Sequence, residues 1–224
     1  NLGIDHLLEQ VQAAQTDAII GINIGKNVDT PVDKALNDYL IGLEKSYPHA
    51  DYITINISSP NTPGLRNLQF GEALDNLLSA LKNRQAELAE EFQRYVPMAV
   101  KVAPDLTLEE VQQLSEYFSR VGIDAVIATN TTLSREAVAG LAHADEAGGL
   151  SGKPVFAKST EIVRQFRQAL PADMPIIAAG GIMSAEDAMQ KLEAGAQLIQ
   201  IYSGLIYQGP KLIQDIVKTI QKRR

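Results

Sequence analysis

Short apolar runs alternate along the chain with longer stretches whose apolar positions recur every three or four residues. Ile4, Leu7, Leu8 and Val11 share one face of a helix predicted from Ile4 to Gln15. A strand is predicted over Ala18 to Ile24, and Thr30-Pro31-Val32-Asp33 reads as an N-cap opening a helix to Lys45. The pattern repeats with a strand at Tyr52–Ile57, a loop at Ser58–Arg66 and a helix over Glu72–Tyr95. It repeats again with a strand at Met98–Val102, a capping box at Thr107–Glu110 opening a helix to Val121, and a strand at Ala125–Ala128. Thr129–Lys158 has little regular pattern. A helix over Ser159–Leu170, a strand at Ile176–Ala179 and a helix from Ser184 to Ala194 follow, then a strand at Leu198–Ile201 and a last helix from Pro210.

These strands are apolar on both faces, as in parallel sheets covered by helices. Six βα units in series mean α/β, either a doubly wound sheet or a (β/α)8 barrel. A dinucleotide-binding sheet should carry G-x-G-x-x-G after its first strand, and none is present. Gly21 to Asn27 imitates a P-loop but is one residue short and ends in Asn where a hydroxyl must reach the metal. The barrel is the better reading, as a single domain over residues 1–224.

Composition narrows the chemistry. The 224 residues include no Cys, which excludes disulfides, thiolate metal sites and a Cys nucleophile. A net charge of -7 argues against nucleic-acid binding. The short basic end, Lys218 to Arg224, suits the last turn of a helix. No apolar run is long enough to span a membrane, and there is no signal-peptide pattern.

In a barrel, chemistry sits at the C-terminal ends of the strands. The polar residues there are Asn23, Asn56, Ser58, Ser59, Asn61, Lys101, Thr129, Asn130, Thr131, Tyr202 and Ser203, with Asp105 the only nearby carboxylate. His6, His49 and His143 all lie elsewhere, which argues against a metal site and against a His-driven acid–base pair. Amides, hydroxyls and one ammonium suit a planar, multiply hydrogen-bonded ligand. Lys101, inside Ala-Val-Lys-Val-Ala, needs an anionic or electron-rich partner, or else forms a structural ion pair. Gly180-Gly181 and Ser203-Gly204 end the last two strands, where barrels commonly bind phosphate; singly, each is also an ordinary turn. The sequons at Asn56 and Asn130 fall at strand ends and are discounted.

Asn56-Ile-Ser-Ser-Pro-Asn-Thr-Pro-Gly-Leu-Arg66, the Lys101 strand, Ile127 to Thr132, Gly149-Leu-Ser-Gly-Lys-Pro154, Gly180-Gly181 and Gln200 to Gly204 together resemble the class 2, quinone-dependent dihydroorotate dehydrogenases. The match runs in order along the whole chain, and Ser59 stands where class 1 relatives carry Cys. The resemblance implies an FMN enzyme of pyrimidine biosynthesis that oxidises dihydroorotate to orotate. It implies that Ser59 is the base taking a proton from C5, while hydride passes from C6 to the flavin. Asn56, Asn61, Asn130 and Thr131 would bind the substrate. Asn23, Asn56, Lys101 and Thr129 would contact the flavin, and Gly152, Gly181, Tyr202 and Ser203 its phosphate. No metal is implied.

The family's front part does not match. Its helical quinone-tunnel segment, first two barrel strands, first-unit flavin Lys and Asn-Arg-Met-Gly-Phe motif are absent, and Asn1 looks like the tail of that motif. The six units therefore correspond to strands three to eight of an incomplete TIM barrel. The chain alone is expected to be soluble and inactive, with weak or no FMN binding. The full-length protein is expected at the cytoplasmic side of a bacterial inner membrane, peripherally bound. The rivals are another FMN barrel, against which Ser59 argues; a phosphate-binding lyase or isomerase, which would need a carboxylate or His pair; and a non-catalytic fragment.

Overall fold

The computed structural model describes residues 2–223; Asn1 and Arg224, and what was expected of them, lie outside these residues. The strands are β1 (Gly21–Ile24), β2 (Tyr52–Asn56), β3 (Met98–Val102), β4 (Ala125–Ala128), β5 (Ile176–Ala179) and β6 (Leu198–Gln200). The helices are α1 (Gly3–Ala13), α2 (Ala35–Ser46), α3 (Gly71–Glu91), α4 (Leu108–Val121), α5 (Phe156–Ala169), α6 (Ala185–Glu193), α7 (Ser203–Gln208) and α8 (Lys211–Arg223).

All pairings are parallel, and the strand order in space follows the chain from β1 to β6. A doubly wound sheet reverses its strand order once. Here it never reverses, so right-handed crossovers put every connecting helix on one face and the sheet curls around the other. The register confirms two distinct faces. Asn56 pairs with Lys101, Lys101 with Ile127, Ile127 with Ile177, and Ala179 with Gln200, so these side chains share the concave face. Their neighbours Ile53, Ile55, Met98, Val100, Val102, Val126, Ile176 and Ala178 face the helices and are fully or nearly fully buried. Each such Ile or Val stabilises the helix–sheet layer by about 1.5–3 kcal/mol. The incomplete (β/α) barrel expected from the sequence is the architecture observed, with β1 and β6 as open edges.

Several boundaries differ from the sequence reading. The sheet begins at Gly21 rather than Ala18. Thr30 caps nothing: a 3-10 turn at Val32–Lys34 precedes α2, and the Thr30 carbonyl instead accepts from Lys26 Nζ at 2.6 Å. α3 stops at Glu91, short of Tyr95, where Gln93 takes a positive φ of 49°. α5 begins three residues earlier than Ser159, after a 3-10 turn at Lys153–Val155, with no side-chain cap to announce it. α7 is an additional short helix. The capping box of Thr107 and Glu110 forms as expected, and Ser184 caps α6.

Candidate active site

The carboxyl ends of β3 to β6 enclose a cavity of about 410 Å³, a size suited to a small-molecule ligand. Eleven of the residues singled out in the sequence line it: Asn23, Lys101, Thr129, Asn130, Thr131, Gly152, Gly180, Gly181, Tyr202, Ser203 and Gly204. Lys101 projects from the concave face of β3. Its Nζ donates to Oε1 of Gln200 on β6 at 3.1 Å, across strands that are not neighbours in the sheet. That contact is a direct measure of the curl. Burial pushes the Lys101 ammonium below its ordinary value, and among the described residues no carboxylate lies within ion-pair distance of it. An anionic ligand atom would reverse that penalty.

At the other end of the cavity the wall is glycine and hydroxyl. Gly180 and Gly181 take φ values of 106° and 75°, and a Cβ on Gly181 would sit 2.5 Å from the backbone of Phe156. The turn therefore lies directly on the first residue of α5. Gly204 is equally constrained, since a Cβ there would reach the Ile182 carbonyl at 2.2 Å. Ser203 Oγ donates to Ser151 Oγ at 3.2 Å, joining the start of α7 to the Gly149–Pro154 loop. Tyr202 borders the cavity but is 80% exposed. These close-packed backbone turns, edged by the Ser151 and Ser203 hydroxyls, form a cradle of the kind that accepts phosphate.

A second constellation adjoins the cavity. Asn130 Nδ2 donates to Asn56 Oδ1 at 3.2 Å and to Ser58 Oγ at 3.1 Å, while its Oδ1 accepts from Thr131 N at 2.8 Å. Asn56, Asn130 and Thr131 are thus brought together. Asn56, Ser59 and Asn61 are not among the cavity-lining residues. Ser59 and Asn61 lie on the loop after β2, where Ser59 Oγ accepts from Asn61 N at 3.3 Å and Asn61 Oδ1 accepts from Gly149 N at 2.9 Å. Asn61 thereby ties this loop to the loop that carries Gly152.

The protein-family model for dihydroorotate dehydrogenase matches residues 1–223. The chain belongs to the dihydroorotate dehydrogenase family. Relatives named dihydroorotate dehydrogenase (quinone) include those of Proteus mirabilis, 59% identical, and Photorhabdus laumondii, 60% identical, each over 98% of this chain. The chain spans 66% of the length of these dihydroorotate dehydrogenases. A crystal structure of the Eimeria tenella dihydroorotate dehydrogenase in complex with ferulenol superposes with a TM-score of 0.88 at 32% identity. It covers 96% of this chain and 62% of that one. The ligand-free form of the same enzyme gives 0.87 at 34% identity, covering 96% and 64%. Among the described residues no helix is long and apolar enough to cross a membrane.

Residues that the sequence reading left without a role also shape this site. Gln200 was legible as a polar residue on an inward strand position, by the same rule that exposed Lys101, but an uncharged amide carries less of a penalty and so less of a signal. Ser151 and Thr132 are placed by loop packing, Arg66 by a 3-10 turn at Leu65–Gln69 and Lys158 by the first turn of α5, which no periodicity reports.

Proposed function

We propose that this chain carries the flavin site and the substrate-facing side chains of a quinone-dependent dihydroorotate dehydrogenase, an enzyme that oxidises dihydroorotate to orotate in pyrimidine biosynthesis. The observation that carries the reading is a single cavity with a desolvated, carboxylate-free ammonium at one end and a glycine–hydroxyl cradle at the other. That donor set fits FMN, whose ring has electron-rich oxygens and whose tail ends in a phosphate. FMN, when bound, supplies the acceptor for the hydride that leaves C6 of the substrate.

The chain's own residues do the rest. Lys101 and Gln200 would hold the electron-rich edge of the ring, and the ammonium favours negative charge there in a low-dielectric site. Asn23 and Thr129 would complete the ring contacts. Gly152, Gly181, Tyr202 and Ser203 would hold the phosphate. Asn56, Asn61, Asn130 and Thr131 would orient the substrate ring and its carboxylate. Ser59 would take the C5 proton, so that the C5–C6 double bond forms as the hydride departs. A serine is a weak base, which makes exclusion of water by the Ser58–Gly64 loop part of the chemistry.

Quinone reduction and peripheral membrane contact belong, on this reading, to the third of the relatives that this chain does not span. The residues present form one barrel domain, inactive without that third. The test fuses the first third of the Proteus mirabilis relative ahead of this chain. A flavin spectrum should survive desalting and bleach on anaerobic addition of dihydroorotate. Ser59→Ala should keep the colour but not bleach. Bleaching of that variant at the unaltered rate removes the base assignment, and loss of flavin from the unaltered fusion removes the reading as a whole.

A further inference from the structure

Arg66 spreads its three guanidinium nitrogens over three separate segments. Nε donates to the Ser58 carbonyl at 3.2 Å, one residue before Ser59. One terminal nitrogen donates to Asp105 Oδ2 at 2.9 Å, in the turn after β3. The other donates to the Thr131 carbonyl at 2.9 Å, in the segment after β4. The pair is largely withdrawn from solvent, with side-chain exposures of 20% for Arg66 and 18% for Asp105. Asp105 is in turn fixed by Lys158 Nζ at 2.7 Å, by the Leu133 amide at 3.0 Å and by the Thr132 hydroxyl.

We infer that Arg66, held by Asp105, is a positioning residue that sets the Ser58–Gly64 loop against the Asn130–Thr131 segment. The inference rests on the assignment of Ser59 as base and of Asn130 and Thr131 as substrate ligands. Arg66 is not among the residues that line the cavity. It fixes two backbone carbonyls, one of the residue before Ser59 and the other of Thr131 itself. The planar fork is essential, because each nitrogen serves a different segment. A lysine keeps the charge but offers a single point donor and cannot hold three segments at once. Misplacement of a reacting group by about 1 Å can cost on the order of a hundredfold in rate, which gives such a clamp its leverage.

The test compares Arg66→Met and Arg66→Lys with Arg84→Met, which removes a guanidinium from the exposed Glu44 and Glu87 pairs on the far side of the molecule. Amide hydrogen exchange is read on this chain. The Ser58, Asn61 and Thr131 amides should exchange roughly tenfold faster in both Arg66 variants, and no faster in Arg84→Met. In the fusion with the first third of the Proteus mirabilis relative, both Arg66 variants should retain flavin. Their kcat should fall by at least about tenfold, with a smaller change in KM. Rescue by lysine, or exchange no faster than in Arg84→Met, overturns the inference. A fall in thermal midpoint with kcat intact overturns it too, by making Arg66 structural only. Ser59→Ala is run beside them. Normal turnover in that variant removes the base assignment, and the exchange arm still decides whether Arg66 clamps the loop.

Discussion

Asp105 stands between two cations, Arg66 and Lys158, at the mouth of the sheet. Burial alone would raise its pKa. Hydrogen bonds from Lys158, Thr132, the Leu133 amide and Arg66 outweigh that and hold it at about 2, below the ordinary 3.8. A carboxylate depressed on folding stabilises the native state above its unfolded pKa, and that stability is lost as pH falls through the folded value. The window is therefore pH 4 to 2. At about 1.4 kcal/mol per unit, discounted for the solvent that reaches Lys158, the loss is roughly 1–2 kcal/mol. Urea unfolding should show the unaltered chain losing about that much more than Asp105→Asn between pH 4 and pH 2. Parallel curves for the two would remove Asp105 from the acid response. Legibility at this scale followed the cost of burial. Lys101 declared itself because an ammonium in an apolar strand is expensive, whereas Gln200, its partner, did not. Asp105 was visible as a nearby carboxylate, but Arg66, in a loop after two prolines, had nothing in its surroundings to say where its guanidinium would point.

The strands were more legible than the helix starts, and for a physical reason. β4 and β5 are continuous apolar runs, bounded by Asp124 and Thr129 and by Pro175 and Gly180, and β3 is apolar but for Lys101; the expected limits of all three coincide with the observed ones. α5 begins at Phe156 with no side chain capping it, while Thr30-Pro31 looks like a cap and is followed by a 3-10 turn. α7 has six residues, too few for a 3.6-residue period to register. The turn after β5 gives the element scale a direct test. Gly122 and Gly181 have nearly the same φ, 74° and 75°. A Cβ on Gly122 would meet nothing within 4 Å, whereas one on Gly181 would sit 2.5 Å from Phe156 backbone atoms. Gly122→Ala should therefore show backbone strain alone, lowering the thermal midpoint by roughly 2–6 °C. Gly181→Ala adds overpacking against α5 and should lower it by about 5 °C more, with flavin content falling in parallel in the fused protein. Equal shifts for the two variants would mean that the turn does not rest on α5.

A sheet of six parallel strands in chain order has two unpaired edges, and a closed barrel of this kind has eight strands and none. At one edge Ile19 is 80% exposed, just before β1, and at the other Leu198 is 57% exposed on β6 itself. Nearby, Ile206 and Tyr207 on α7 are 72% and 77% exposed. Unpaired, apolar edges template pairing with another chain. A closed eight-stranded barrel needs two strands more than these six, and the relatives are longer than this chain by about the third it does not span. Sedimentation velocity should therefore show the chain alone forming larger species as its concentration rises. Leu198→Lys, which puts a charge on the β6 edge, should reduce that association. Fusion to the first third of the Proteus mirabilis relative should abolish it, because both edges then acquire partners within one molecule. If the chain alone is monomeric at every concentration, or the fused protein associates as strongly as the chain alone, the open edges are not what drives association, and closure of the sheet by two further strands loses its support.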